Sequence, residues 1–144
     1  MAMPRRRISR QKRLAIAERA RFVCEYCHTP EDFSTDLFNI EHITPILHGG
    51  TNKDDNLAYS CGGCNGNKHF HVLGEDPITK IPAPLFHPRK DNWEDHFYWN
   101  EDRTLLIGLT EQGRATIDLL KMNRIGLVNL RKALLSYGAH PDEV

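Results

Sequence analysis

The hydrophobic rhythm of the chain changes period several times, and the changes divide it into elements. Residues 10–21 set Leu14, Ala15, Ala17 and Ala20 among long charged side chains, and this predicts a short helix. Residues 37–43 alternate, with Leu37, Asn39 and Glu41 on one face and Phe38, Ile40 and His42 on the other, and predict a strand. Pro45, Gly49-Gly50 and Asn52 mark a loop, residues 56–60 a second short strand, and residues 62–71 a glycine-rich turn that becomes a helix. Residues 74–91 hold Pro77, Pro82, Pro84 and Pro88 and are expected to sustain no regular structure, only a linking segment across the surface. Residues 93–99 and 104–109 predict a β-hairpin around Asn100–Arg103, with Phe97/Trp99 and Leu105/Ile107/Leu109 alternating along the strands. Thr110 is a good N-cap for a helix over 111–122. A last helix over about 126–137 carries Leu127, Leu130, Leu134 and Tyr137 at helical spacing and stops at Gly138, with Pro141 beyond. The fold class expected is α+β, and nothing in the C-terminal third reads as chemistry.

Composition narrows the setting. A chain of 144 residues fits one compact domain with decorations, and 40% hydrophobic with 26% charged residues is ordinary for a soluble globular protein. No apolar run is long enough to cross a bilayer, and the N-terminus lacks the apolar stretch of a signal peptide. The expected setting is therefore the reducing cytoplasm, away from membranes. The formal charge of zero hides an asymmetry: residues 1–21 carry eight basic side chains and one acid, Glu18. Arg5, Arg6, Arg7, Arg10, Lys12 and Arg13 form an arm that reads either as a nucleic-acid anchor, releasing counterions from phosphates, or as a solubilising tail.

All four cysteines lie in two Cys-x-x-Cys pairs, Cys24/Cys27 and Cys61/Cys64. Two intervening residues let both thiolates of a pair reach one tetrahedral zinc, and two pairs complete an all-thiolate site with no open position. Such a zinc is structural and contributes folding free energy. A dithiol redox motif would need only one pair near a βαβ pattern, and a disulfide does not suit a reducing compartment. Thirty-three residues separate Cys27 from Cys61, more than the roughly 15–20 of a plain zinc ribbon. The insert carries the unusual polar residues.

That insert reads Ile40-Glu41-His42-Ile43-x-Pro45, then Gly49-Gly50, then Asp55-Asn56-Leu57, then Cys61-x-x-Cys64-Asn65-x-x-Lys68. The stretch from residue 24 to 69 resembles the HNH endonuclease family in its zinc-binding form with two Cys-x-x-Cys pairs. The resemblance implies a ββα-metal fold around a divalent cation and a metal-dependent endonuclease hydrolysing DNA phosphodiester bonds. It implies His42 as general base on the attacking water and Glu41 as an acidic ligand of the catalytic metal. Asn56 would brace the loop and orient the histidine, and Asn65 would be the metal ligand on the helix. His69, one helical turn after Asn65, is a candidate further ligand or a solvated side chain. Lys68 is expected at the DNA backbone. His48 and His71 receive no role, and His28 is a neighbour of the zinc. Glu41 stands where the family often has Asp, and Asn65 where the name-giving pattern has His. Oxygen donors suit Mg2+ or Mn2+, so the catalytic cation is expected to be distinct from the structural zinc.

Two features bear on this reading. Adjacent residues of a flat strand face opposite ways, so Glu41 and His42 serve one cleft only if the strand bends or ends there. The competing reading is a non-catalytic zinc-ribbon module that binds nucleic acid. The expected organisation is a basic arm and helix over 1–21, a nuclease core over 22–73, the linking segment over 74–91 and a hairpin with two helices over 92–144. The expected partner is DNA, and the C-terminal part is left to widen the DNA footprint or to build a homodimer.

Overall fold

The structure, a computed structural model, describes residues 8–141. Arg5, Arg6 and Arg7 of the basic arm lie outside the described residues. The first helix among the described residues is α1 (Arg10–Arg19), capped by the Ser9 hydroxyl, which accepts from Lys12 N. Its buried face is Ile16 and Ala17, and not the expected stripe, because Leu14 is 52% exposed. Strands β1 (Asn39–His42) and β2 (Leu57–Ser60) pair antiparallel, Glu41 opposite Ala58 and His42 opposite Leu57. Every residue of β2 is buried, and Leu57 and Ala58 are fully so, which makes it the spine of the core. Helix α2 (Gly62–Lys68) follows directly, completing a ββα unit.

The proline-rich stretch corrects an expectation. Strands β3 (Leu73–Glu75) and β4 (Pro82–Pro84) pair antiparallel, Gly74 opposite Ala83. Prolines two apart put both missing donors on one side of a strand, and a two-stranded sheet has an open side to receive them. The turn between the strands is organised by Asp76, which is wholly buried. Its carboxylate accepts from Ile78 N (3.0 Å), from Thr79 Oγ1 (3.0 Å), and from Arg114 through Nε (3.0 Å) and Nη2 (2.7 Å). The Arg114 guanidinium, with these other donors, holds the Asp76 carboxyl well below its usual range. A depressed carboxyl contributes its stability above the unfolded-state pKa of about 4 and loses it as pH falls towards the folded value. Asp76→Asn is thus expected to lower Tm at neutral pH and to narrow its gap to wild type on acidification. Thermal melts across that window check this, and a constant Tm difference from neutral to strongly acidic pH would refute the linkage.

Helix α3 (Trp93–His96) forms one turn where a strand was expected, with Glu94 and Asp95 in its first turn, where the helix dipole favours acids. The hairpin is β5 (Phe97–Trp99) with β6 (Leu106–Gly108), Trp99 opposite Leu106. Its buried phase on the second strand is Leu106, not Leu105 and Leu109, which are exposed. A one-residue difference in phase exchanges the faces of a strand. Helix α4 (Glu111–Leu120) has Thr110 as its cap, accepting from Gly113 N at 2.9 Å. It is sewn to the proline-rich stretch through Arg114, through Thr116 Oγ1, which accepts from Phe86 N, and through Gln112, which donates to Leu85 O.

Helix α5 (Ile125–Tyr137) ends at Gly138. Its buried face includes Arg131, 2% exposed, where Tyr137 was expected. Arg131 donates to Thr104 O, Met122 O and Asn123 Oδ1 and lies over the Trp99 ring. Tyr26, Phe86, Trp93 and Phe97 form an aromatic seam between the two ends of the chain. Among the described residues no helix is long and apolar enough to cross a membrane.

Candidate active site and zinc frame

The four cysteines meet although 33 residues part the pairs. Cys24 and Cys27 sit in a tight turn after α1, where Cys24 N donates to Thr29 O and His28 N to Cys24 O, both at 2.9 Å. Cys61 follows β2 and caps α2, its Sγ accepting from Cys64 N at 3.4 Å. All four side chains are buried, and their Sγ atoms lie within 4.8 Å of one another, with Cys27 and Cys61 at 3.7 Å. A tetrahedron with Zn–S of about 2.3 Å has edges of about 3.8 Å, so the cluster fits zinc. Burial pushes the Cys24 thiol up, while hydrogen bonds from Cys24, Cys27 and Cys64 hold Cys61 down.

Sequence reading missed one member of this frame. Arg124, at the start of α5, places Nη2 3.5 Å from Cys61 Sγ and Nη1 3.8 Å from Cys64 Sγ. The same side chain donates to Leu120 O and Lys121 O. Burial works to lower its pKa, but the thiolates of Cys64 and Cys61 outweigh it and the net direction is up. Gly63 makes room, since a Cβ there would overlap the guanidinium. No local motif marks Arg124, and only the docking of the helix pair brings it there.

Between the cysteine pairs, β1 ends at His42, and the chain then turns through Thr44 and Pro45. Glu41 and His42 therefore line one cleft, together with Asn65 and His69 of the α2 end. The cleft has a volume of about 440 Å³, and Ile40, Pro45, Ile46, Leu47 and Phe70 complete its lining. The His42 ring is held by Asn52: its Nε2 donates to Asn52 Oδ1 at 2.6 Å. Asn52 was read from sequence only as a turn residue.

Asn56, 8% exposed, staples the loop through backbone groups. It accepts from Thr44 N (2.8 Å) and donates to Thr44 O (3.0 Å) and Thr51 O (2.8 Å). Gly50 is needed in this loop, because a Cβ there would overlap the Thr44 carbonyl.

Lys68 is the largest departure from expectation. It is 1% exposed, its Nζ lies 2.6 Å from Glu41 Oε1, and it donates to Ile43 O at 2.8 Å. It is buried in the core and not exposed at the surface. Glu41 is 4% exposed, with the Tyr26 hydroxyl buried beside it. Burial pushes the Glu41 carboxyl up, partly countered by Lys68 and Tyr26, and the net direction is up. Glu41 Oε2 makes no well-aligned hydrogen bond. The Glu41 carboxylate and the Asn65 side-chain oxygen at the same cleft are hard donors that fit a cation such as Mg2+.

The basic residues of α1 divide. Lys12 is engaged inside the chain, donating to Asn52 O and pairing with Asp54 at 3.3 Å, whereas Arg10 and Arg13 are exposed.

Residues 24–71 match the HNH endonuclease family. Over 124 residues, 78% of its length, the chain is 27% identical to the Septu protein PtuB of Bacillus thuringiensis, covering 41% of that protein. Over 95 residues, 59% of its length, it is 30% identical to the Septu protein PtuA of Bacillus mycoides (strain KBAB4), covering 13% of that protein. The chain thus spans less than half the length of each of these relatives. No solved structure matches it.

Proposed function

We propose, on the premise that residues 24–71 carry an HNH endonuclease domain, that this chain is a metal-dependent endonuclease hydrolysing DNA phosphodiester bonds. The observation that supports it best is the meeting of Glu41, His42, Asn65 and His69 in one cleft. Asn52 Oδ1 carries no proton, so Nε2 of His42 must donate to it, and the neutral ring then keeps its lone pair on Nδ1. That nitrogen takes the proton of the attacking water. Glu41, through the oxygen that Lys68 does not hold, and Asn65 would hold Mg2+ or Mn2+, with His69 as a further ligand. A bound cation of this kind supplies Lewis-acid stabilisation of the scissile phosphate and the leaving 3′-oxygen. Asn56 keeps the 44–56 loop, and with it Asn52, in place. The four cysteines hold zinc, which takes no part in the reaction. The exposed Arg10 and Arg13, with Arg5, Arg6 and Arg7, add affinity for phosphates that does not depend on sequence.

A plasmid-nicking assay with added Mg2+ or Mn2+ tests the reading. His42→Ala is expected to lower the rate by about 10²–10⁴-fold, the usual worth of a general base, with zinc content and Tm retained. Nicking by His42→Ala at the wild-type rate would overturn it. One observation favours the second reading, a nucleic-acid-binding module without cleavage: Lys68 already neutralises Glu41. Binding of DNA by a wild-type protein that nicks nothing would establish that reading instead.

A further inference from the structure

The rim of the cleft is built unlike a surface for duplex DNA. None of its lining residues is Lys or Arg, and the lysine nearest in sequence, Lys68, is buried against Glu41. Five lining residues are apolar, and Leu47 is 75%, Phe70 42% and Ile46 37% exposed. Three aromatic rings stand in a row at the end of α2. His69 and Phe70 have centroids 3.9 Å apart, and Phe70 and His71 5.6 Å apart.

The backbone projects this row outward. The ion pair of Lys68 anchors the last residue of the helix inside, and His69 then turns at φ 50°, ψ −126°, a conformation non-glycine residues seldom adopt. His69, Phe70 and His71 are all exposed as a result. Burial in the core does not account for a strained turn that sends its aromatic residues into water. Helix α1 borders the loop that holds His42, through Lys12 on Asn52, and it carries the exposed Arg10 and Arg13. Exposed cations and exposed aromatic rings are the two elements by which proteins hold single strands: charge tracks the backbone and rings stack on bases.

We infer that the cleft takes single-stranded DNA, with an unpaired base stacked against the exposed part of the Phe70 ring at the cleft rim. The inference rests on the endonuclease reading of the cleft and names its substrate class. Stacking needs a base face that a paired duplex keeps inside its own stack.

Fluorescence anisotropy with a labelled oligothymidylate strand and a labelled duplex of the same length, without added Mg2+ or Mn2+, tests it on the full chain. The wild type is expected to bind the strand more tightly than the duplex. Phe70→Ala and Phe70→Leu should each weaken strand binding by about tenfold, the typical worth of one stacked base, and Phe70→Trp should preserve it. Duplex binding should change little. Equal strand binding by Phe70→Ala and wild type would overturn the inference, as would a Phe70→Leu protein that binds like wild type or equal losses on strand and duplex. Adding Mn2+ to the same samples separates this from the endonuclease reading. A wild type that cleaves while Phe70→Ala binds normally removes only the stacking. A wild type that binds through Phe70 but cleaves nothing removes only the catalysis.

Discussion

Cys24→Ser protein is expected to be unfolded at room temperature and to purify without stoichiometric zinc. Cys24 is wholly buried, and its Sγ lies within 4.8 Å of the other three. Structural zinc in small domains is worth about 10–16 kcal/mol, as large as the whole stability of a typical domain. A serine hydroxyl offers no thiolate and leaves three negative sulfurs in a buried space. The apolar core centred on β2 is built on the same frame, since β2 runs directly into Cys61. Circular dichroism with metal analysis checks the expectation. A Cys24→Ser protein that melts like wild type with no bound zinc would show that the metal is dispensable to the fold.

The second large effect belongs to Lys68. Lys68→Met is expected to destabilise the chain by about 3–5 kcal/mol, because removing one member of a buried ion pair leaves the other charge uncompensated. Glu41 would remain 4% exposed without its cation, left with the Tyr26 hydroxyl and the neighbouring His42. The Ile43 carbonyl would lose its donor as well. Removing both charges relieves the penalty, so the Glu41→Gln/Lys68→Met double variant should be more stable than Lys68→Met alone. Urea denaturation of the three variants and wild type gives the coupling. The alternative is a lysine at the DNA backbone, which would leave stability unchanged and reduce only the salt dependence of DNA binding. That pattern in Lys68→Met would refute the buried clamp.

Residues that act through local geometry were legible in the sequence. The cysteine pairs declare a metal frame by spacing alone, and the structure gathers them as spacing predicts. Thr110 and Gly138 bound their helices because caps are local hydrogen-bonding events. What escaped is what neighbours distant in sequence decide. The β3–β4 pair exists because α4 supplies Arg114, Thr116 and Gln112 to a stretch that composition marks as irregular. Lys68 looked like a surface cation because lysine usually is one, and only the buried Glu41 reverses that. Asn52 and Asn56 are both loop asparagines, and nothing in their surroundings in sequence tells which one holds the ring and which the backbone. The phase of β6 was misread because a three-residue strand offers too few alternations to fix its face.

Arg124 also changes what counts as a part of this molecule. Its guanidinium stands on the sulfurs of Cys61 and Cys64, about sixty positions earlier in the chain. The nuclease-like third and the helix pair are therefore fastened at the point where the metal frame closes. A tetrathiolate zinc carries a net double negative charge, and the far end of the sequence provides the nearest compensation. Loss of zinc lets the buried thiolates take up protons, which would strip Arg124 of its counter-charge and release the C-terminal helices along with the knuckles, so the chain is expected to melt as one cooperative body. By the same token, a fragment cut after the family-matched segment lacks the cation that its own metal site leans on, and recombinant excision of that segment alone is a poor route to a stable fragment.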